Sequence, residues 1–186
     1  MLRFLQDTRL PIVAAFFKGL IMFNFKDNTM SATTQPTPQE EQQLLELVAP
    51  YIDIKVLNSY EEVRKHYRID KRENMYGGEG TVYLIQLYEP FNELVNNRIG
   101  CYMILPTTND WVGFHEHGKR KEQELYVVLN GEGAYHDKIG QTGEERITSI
   151  MKGNVTTVKG ESYHSVRNIS TSNEPLILFV ITTNEK

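Results

Sequence analysis

Residues 115–133 read HEHGKRKEQELYVVLNGEG. The run Glu124–Leu129 is β-branched, aromatic and aliphatic, the composition of a strand. Side chains alternate across a strand, so Glu124, Tyr126 and Val128 share one face and Leu125, Val127 and Leu129 the other. Glu122 has the parity of Glu124. Asn130-Gly131 is expected to turn the chain as a hairpin and fix that register. Upstream, His115 and His117 stand two apart, so on a strand both imidazoles face the same side while Glu116 faces away. An H-x-H pair alone is commonly solvated or paired with another side chain. Here it comes with Glu124 and Gly131 at fixed distances.

Working outward, Thr81–Tyr88, Arg98–Leu105 and Leu176–Thr182 are further strand-like runs. Others follow Gly131 and lie around Ile147–Met151, Val155–Val158 and Ser165–Ile169, with turn clusters every eight to twelve residues. No helical period intrudes from residue 81 onward, so the body is expected to be all-β, an antiparallel barrel or sandwich. Arg68–Gly80 is charged and glycine-rich and is expected to be a loop. Before it, Thr37-Pro38-Gln39-Glu40 has the pattern of a capping box with proline at the first helical position. Leu44, Leu45, Leu47 and Val48 give that helix an apolar side, and Pro50 ends it. Ser59-Tyr60-Glu61-Glu62 is expected to start a second short helix. Residues 1–36 are read as a leader and flexible linker, with Met22 or Met30 as alternative starts, and 37–186 as one domain. The apolar run Leu10–Phe25 is interrupted by Pro11 and Lys18, too short for a bilayer span of about 20 apolar residues; an interfacial helix is the open alternative.

A second block, GNVTTVKGESYHSVRN, begins at Gly153 and contains His164 and Asn168. Three imidazoles and a carboxylate, from His115, His117, His164 and Glu124, suit one divalent first-row ion (Mn, Fe, Ni or Zn) with positions left for substrate. Glu122 competes with Glu124 as the acidic ligand and otherwise lines the mouth of the site as a substrate contact. The register favours Glu124. Tyr126 points inward beside it, either to hydrogen-bond a ligand or as a satisfied core tyrosine. His136 and the Lys119-Arg120-Lys121 loop are weaker candidates for the same cavity.

These two blocks resemble the motifs of the cupin superfamily: H-x-H, then Glu, then Gly after six residues; and Gly, later His, and Asn after three residues. Asn109 stands where that pattern has glycine, and Lys159 and Glu161 where it has proline and glycine. The resemblance covers roughly residues 80–183 and implies a double-stranded β-helix, or jelly-roll, barrel with one or two N-terminal helices outside it, commonly paired as a homodimer. The six-residue gap between His117 and Glu124, with ELYVVLNGEG after it, is similar to that of the cupin-type phosphoglucose isomerases. That likeness implies sugar-phosphate isomerisation, with Glu124 moving the proton and Tyr126 orienting the sugar. A non-haem iron dioxygenase and a non-enzymatic metal-dependent binding module share the same ligand set.

Composition limits the remaining classes. The 186 residues are 40% hydrophobic and 24% charged, enough for a packed core. Net charge is −4; the first thirty residues carry four basic and two acidic side chains, so the rest carries −6. That balance argues against a nucleic-acid partner and for a small-molecule one. The single cysteine, Cys101, excludes an internal disulfide and thiolate-rich zinc sites, and a cytoplasmic location with no membrane partner is expected.

Overall fold

The computed structural model describes residues 32–53, 66–89 and 98–184. The leader 1–30 and the helix expected from Ser59 lie outside the described residues. Among the described residues eleven strands follow in chain order: β1 (Thr33–Thr34), β2 (Arg68–Glu73), β3 (Thr81–Gln86), β4 (Gly100–Leu105), β5 (Trp111–Glu116), β6 (Glu122–Asn130), β7 (Glu132–Ile139), β8 (Arg146–Met151), β9 (Val155–Lys159), β10 (Ser162–Asn168) and β11 (Leu176–Asn184). Helix α1 (Pro38–Val48) lies between β1 and β2. One sheet has the order β1-β2-β3-β4-β11-β6-β9 and the other β5-β10-β7-β8, with antiparallel pairing throughout.

Alternation along the strands separates two apolar layers. Leu84, Cys101, Met103, Tyr126, Val128, Leu178 and Val180 face the other sheet, where Val112, Tyr135, Ile150 and Val166 meet them. The opposite face of the larger sheet presents Ile69, Ile85, Ile104 and Ile177, and these bury Leu44 and Val48 of α1. The helix starts as its sequence predicts. Thr37 accepts from the Glu40 amide and Glu40 accepts from the Thr37 amide, a complete capping box with Pro38 just inside it. Glu40 also receives Lys71 Nζ at 2.6 Å, tying the helix start to β2.

Two expectations need correction. Arg68–Glu73 is a strand and not a loop. Its charges are tolerated because they are paired: Asp70, 2% exposed, accepts from Arg68 Nε at 2.8 Å and from Gln86 Nε2 at 3.1 Å, while Ile69 faces the helix. Asn130-Gly131 is not a hairpin turn. β6 and β7 sit in different sheets, and Gly131, at φ 81°, takes the chain across the corner. A Cβ there would lie 2.5 Å from the Pro175 carbonyl oxygen, so the corner admits only glycine. At the two glycine positions where the sequence departs from the motif, a positive φ is still found: Asn109 itself adopts φ 77°, and Gly160, next to Glu161, adopts φ 60°.

Asn168 closes one end of the barrel. It is fully buried, donates to the carbonyls of Leu105 (3.0 Å) and Glu174 (2.9 Å), and accepts from the Ser170 amide (2.9 Å).

Candidate metal centre

β5 delivers His115 through an irregular pairing. His164 faces His115 and Val166 faces Val112, so two residues of β5, Gly113 and Phe114, oppose one residue of β10, Ser165. This bulge lets Val112 and His115, three apart, both point inward. His117 follows the strand. The long gap before Glu124 is taken up by a single 3₁₀ turn over Gly118–Arg120, closed by Lys121 in the left-handed region and by the Glu122 amide on the His117 carbonyl (3.3 Å). β6 then resumes its alternation, with Glu122, Glu124, Tyr126 and Val128 all buried.

The side chains of His115, His117, Glu124 and His164 converge, with one ligand atom from each within 4.8 Å of all the others. Glu124 Oε2 lies 3.2 Å from the Nε2 atoms of both His117 and His164 and 3.8 Å from that of His115. His117 Nε2 and His164 Nε2 are 3.2 Å apart. Four ligands bonded at about 2.1 Å to one ion are separated by about 3.0–3.4 Å, so the cluster has the size of a first-row coordination shell.

The proton inventory also fits a cation. His115 Nδ1 faces the Gly113 carbonyl at 3.0 Å, and His117 Nδ1 faces the Glu122 carboxylate at 3.3 Å. Both partners only accept, so Nδ1 carries the hydrogen in each ring and a neutral ring presents a bare Nε2 to the cluster. His164 Nδ1 is 3.2 Å from the Tyr135 hydroxyl. Burial, followed by the neighbouring His115, pushes the His164 pKa down to about 4, so this ring is neutral at pH 7. Burial opposes ionisation of Glu124, and its carboxyl is held well below the usual range only by hydrogen-bond donation and charge from the three rings, which rings with a bare Nε2 do not supply and a cation among them would. Its Oε2 is buried with no hydrogen-bond partner. A buried anionic oxygen and inward-facing nitrogen lone pairs are costly neighbours, and a divalent ion among them relieves that cost. Such an ion would supply a Lewis acid for the oxygens of a bound ligand.

The other residues singled out from the sequence separate clearly. Glu122 is not in the cluster; it binds Arg98 Nε (2.8 Å) and Nη2 (3.2 Å) and backs His117. Tyr126, 1% exposed, stands beside Glu124 with its ring 5.2 Å from that of His164; burial and the Glu124 charge raise its phenol. His136 faces Glu145 and Phe114, away from the cluster, and Lys119 is exposed.

Three contributors carried no spacing signal. Tyr135 holds His164, Arg98 holds Glu122, and Tyr76 stacks on His115 with ring centroids 4.3 Å apart. Tyr76 sits in the left-handed region at φ 54°, in a turn that crosses β5 where Gly78 and Gly113 meet. A glycine inside a strand pattern signals such a close backbone approach, and Gly113 is the one clue the sequence offers. Tyr76, Arg98, His115, His117, Glu124 and Tyr126 line the central cavity, where only about 10 Å³ is open to the centre of a water-sized sphere, room for one water molecule. A larger groove of about 540 Å³ along β6, β7 and β9 touches Glu124 and Tyr135 but none of the three imidazoles of the cluster.

No protein-family model matches the chain. An oxalate-binding protein of Thermotoga maritima is 34% identical over 111 residues, 58% of this chain and 82% of that protein. The crystal structure of a predicted oxalate decarboxylase from Thermotoga maritima matches with a TM-score of 0.54 at 28% identity, over 63% of this chain and 92% of that one. A Klebsiella pneumoniae protein with a double-stranded β-helix domain matches over 54% of this chain and 76% of its own, at 19% identity and a TM-score of 0.41. With its antiparallel barrel, its convergent three-histidine, one-glutamate cluster and a relative covered over most of its length, the chain belongs to the cupin, or double-stranded β-helix, superfamily.

Proposed function

We propose that the protein is a metal-dependent binder of a small, compact organic acid of the oxalate class. The observation that carries this reading is the size and charge of the space around the cluster. The cavity has room for about one water molecule, which the ion itself would take, so a ligand reaches that ion only by displacing lining side chains such as Tyr76 and Arg98, a smaller displacement for an acid of a few atoms than for a sugar phosphate. His115, His117, Glu124 and His164 would hold one divalent ion, and a ligand carboxylate would meet that ion beside Arg98. The oxalate-binding relative at 34% identity supports the ligand class.

Sugar-phosphate isomerisation is the second reading, favoured by Tyr126 standing directly beside Glu124. In it Glu124 moves the proton and Tyr126 orients the substrate. Among the described residues the lining of the central cavity contains no lysine or threonine; Thr157, Lys159 and Thr183 line the neighbouring groove, which meets the cluster only at Glu124, and this places the reading second. Oxygen-dependent chemistry on the same ligand set is the third.

Calorimetric titration of manganese-loaded protein with oxalate, malonate and fructose 6-phosphate separates them. The proposal expects oxalate to bind only in the presence of the metal and fructose 6-phosphate not to bind. Isomerisation of fructose 6-phosphate, or oxygen uptake with an iron-loaded sample and oxalate, would replace it by the second or third reading.

A further inference from the structure

The three imidazoles are each held from behind by a different group: His115 by a backbone carbonyl, His164 by the Tyr135 hydroxyl and His117 by the Glu122 carboxylate. Of these three partners only Glu122 is a carboxyl group, and it is 2% exposed. Arg98 grips both of its oxygens, Oε1 at 2.8 Å and Oε2 at 3.2 Å. A buried ion pair is a weak source of stability, because desolvating both ions offsets much of their attraction. Its position directly behind a member of the cluster gives it another role.

We infer that Glu122, pinned by Arg98, is a positioning residue that sets the affinity of the site for its divalent ion through His117. The inference rests on reading the four-residue cluster as a metal centre. The carboxylate accepts from Nδ1–H, which fixes the tautomer, and it raises the electron density at Nε2. Glu122 and Glu124 share one face of β6, so an unrestrained Glu122 side chain would stand next to the same ion as a rival acidic ligand. Arg98 removes that freedom by engaging both oxygens. The two carboxylates that the sequence leaves in competition are thus divided: Glu124 for the cluster, Glu122 for the ring behind it.

The test uses Co²⁺ alone, titrated into metal-stripped full-length protein in competition with a chromophoric chelator, with the visible Co²⁺ spectrum recorded. Glu122→Ala is expected to weaken binding by about 10–100-fold and to shift the ligand-field bands. Glu122→Gln keeps an oxygen that accepts from Nδ1–H and should fall between wild type and Glu122→Ala. Arg98→Met frees Glu122 from its place behind His117, so it should change the Co²⁺ affinity and shift the ligand-field bands on its own but change nothing further in Glu122→Ala, because it acts through Glu122. Should Glu122→Ala fail to fold, the near-isosteric Glu122→Gln decides: a several-fold loss supports the inference, and unchanged affinity and spectrum overturn it. Additive effects of Arg98→Met and Glu122→Ala also overturn it. Wild type that binds no Co²⁺ overturns the reading of the cluster as a metal centre, whereas bound Co²⁺ with unaltered variants overturns this inference alone.

Discussion

Replacing Gly113 by alanine tests how the backbone builds the site. A Cβ on Gly113 would stand 2.1 Å from the Tyr76 carbonyl oxygen and 2.7 Å from the Gly78 amide nitrogen. An ordinary contact begins at 3.4 Å, so β5 and the turn over Met75–Gly77 must part by about 1.3 Å. Both obstacles are backbone, and neither can rotate away. Overpacking of this kind costs about 1–3 kcal/mol, and a backbone clash belongs at about 3 kcal/mol. For a domain of this size that lowers Tm by about 6–12 °C. The same displacement lifts Tyr76 off His115 and disturbs the bulge that aims His115, so metal affinity should fall as well. Tyr76→Ala removes the ring but not the atoms the new methyl strikes, so it should not rescue Gly113→Ala. Urea unfolding of metal-stripped protein, followed by Co²⁺ titration, measures both effects. A stability loss under about 0.5 kcal/mol, the level of an ordinary surface substitution, with unchanged Co²⁺ affinity would refute the reasoning.

Other outcomes follow from the same contacts. Asn168→Ala removes three hydrogen bonds of a fully buried side chain and leaves the Leu105 and Glu174 carbonyls without that donor; a loss of about 3 kcal/mol is expected in urea unfolding. Metal at a hundred times its Kd should stabilise the protein by about 2.7 kcal/mol, a rise in Tm of about 5–11 °C on adding Mn²⁺, reversed by chelator and absent in His164→Ala. Glu40 is lowered from 4.5 to about 2, first by Lys71 and then by the Thr37 amide and hydroxyl. Because its folded pKa lies below its unfolded one, its contribution is fully present above pH 4.5 and is lost as pH falls toward 2. Glu40→Gln should therefore be less stable than wild type at pH 6 and equal to it near pH 2, as read by urea unfolding at the two pH values.

The convergence of the four cluster residues was legible because their spacing rests on local rules. Alternation along β6 puts Glu124 inside whatever the rest of the fold does, and the H-x-H and the later histidine come at characteristic distances. Strand β2 was hidden because its six residues carry five charges, which read as solvent-facing until Gln86, Glu40 and the helix supply partners from elsewhere in the chain. The Asn130-Gly131 corner was misread because its dipeptide suits a hairpin, and only long-range pairing, of β6 with β11 and of β7 with β10, puts the two strands in different sheets. Tyr76, Tyr135 and Arg98 act through contacts between distant segments. A lone tyrosine or arginine has no local signature for such a role. Glu122 was legible as inward-facing but not in function, since its partner Arg98 comes from before β4, far away in sequence.

The central claim is that His115, His117, Glu124 and His164 hold one divalent ion. Elemental analysis of protein loaded with Mn²⁺ or Co²⁺ and desalted tests it most directly, with a His115→Ala/His117→Ala double variant treated identically. The account predicts about one ion per chain in wild type and close to none in the variant. Wild type that emerges without metal, or a double variant that retains a full equivalent, would contradict it.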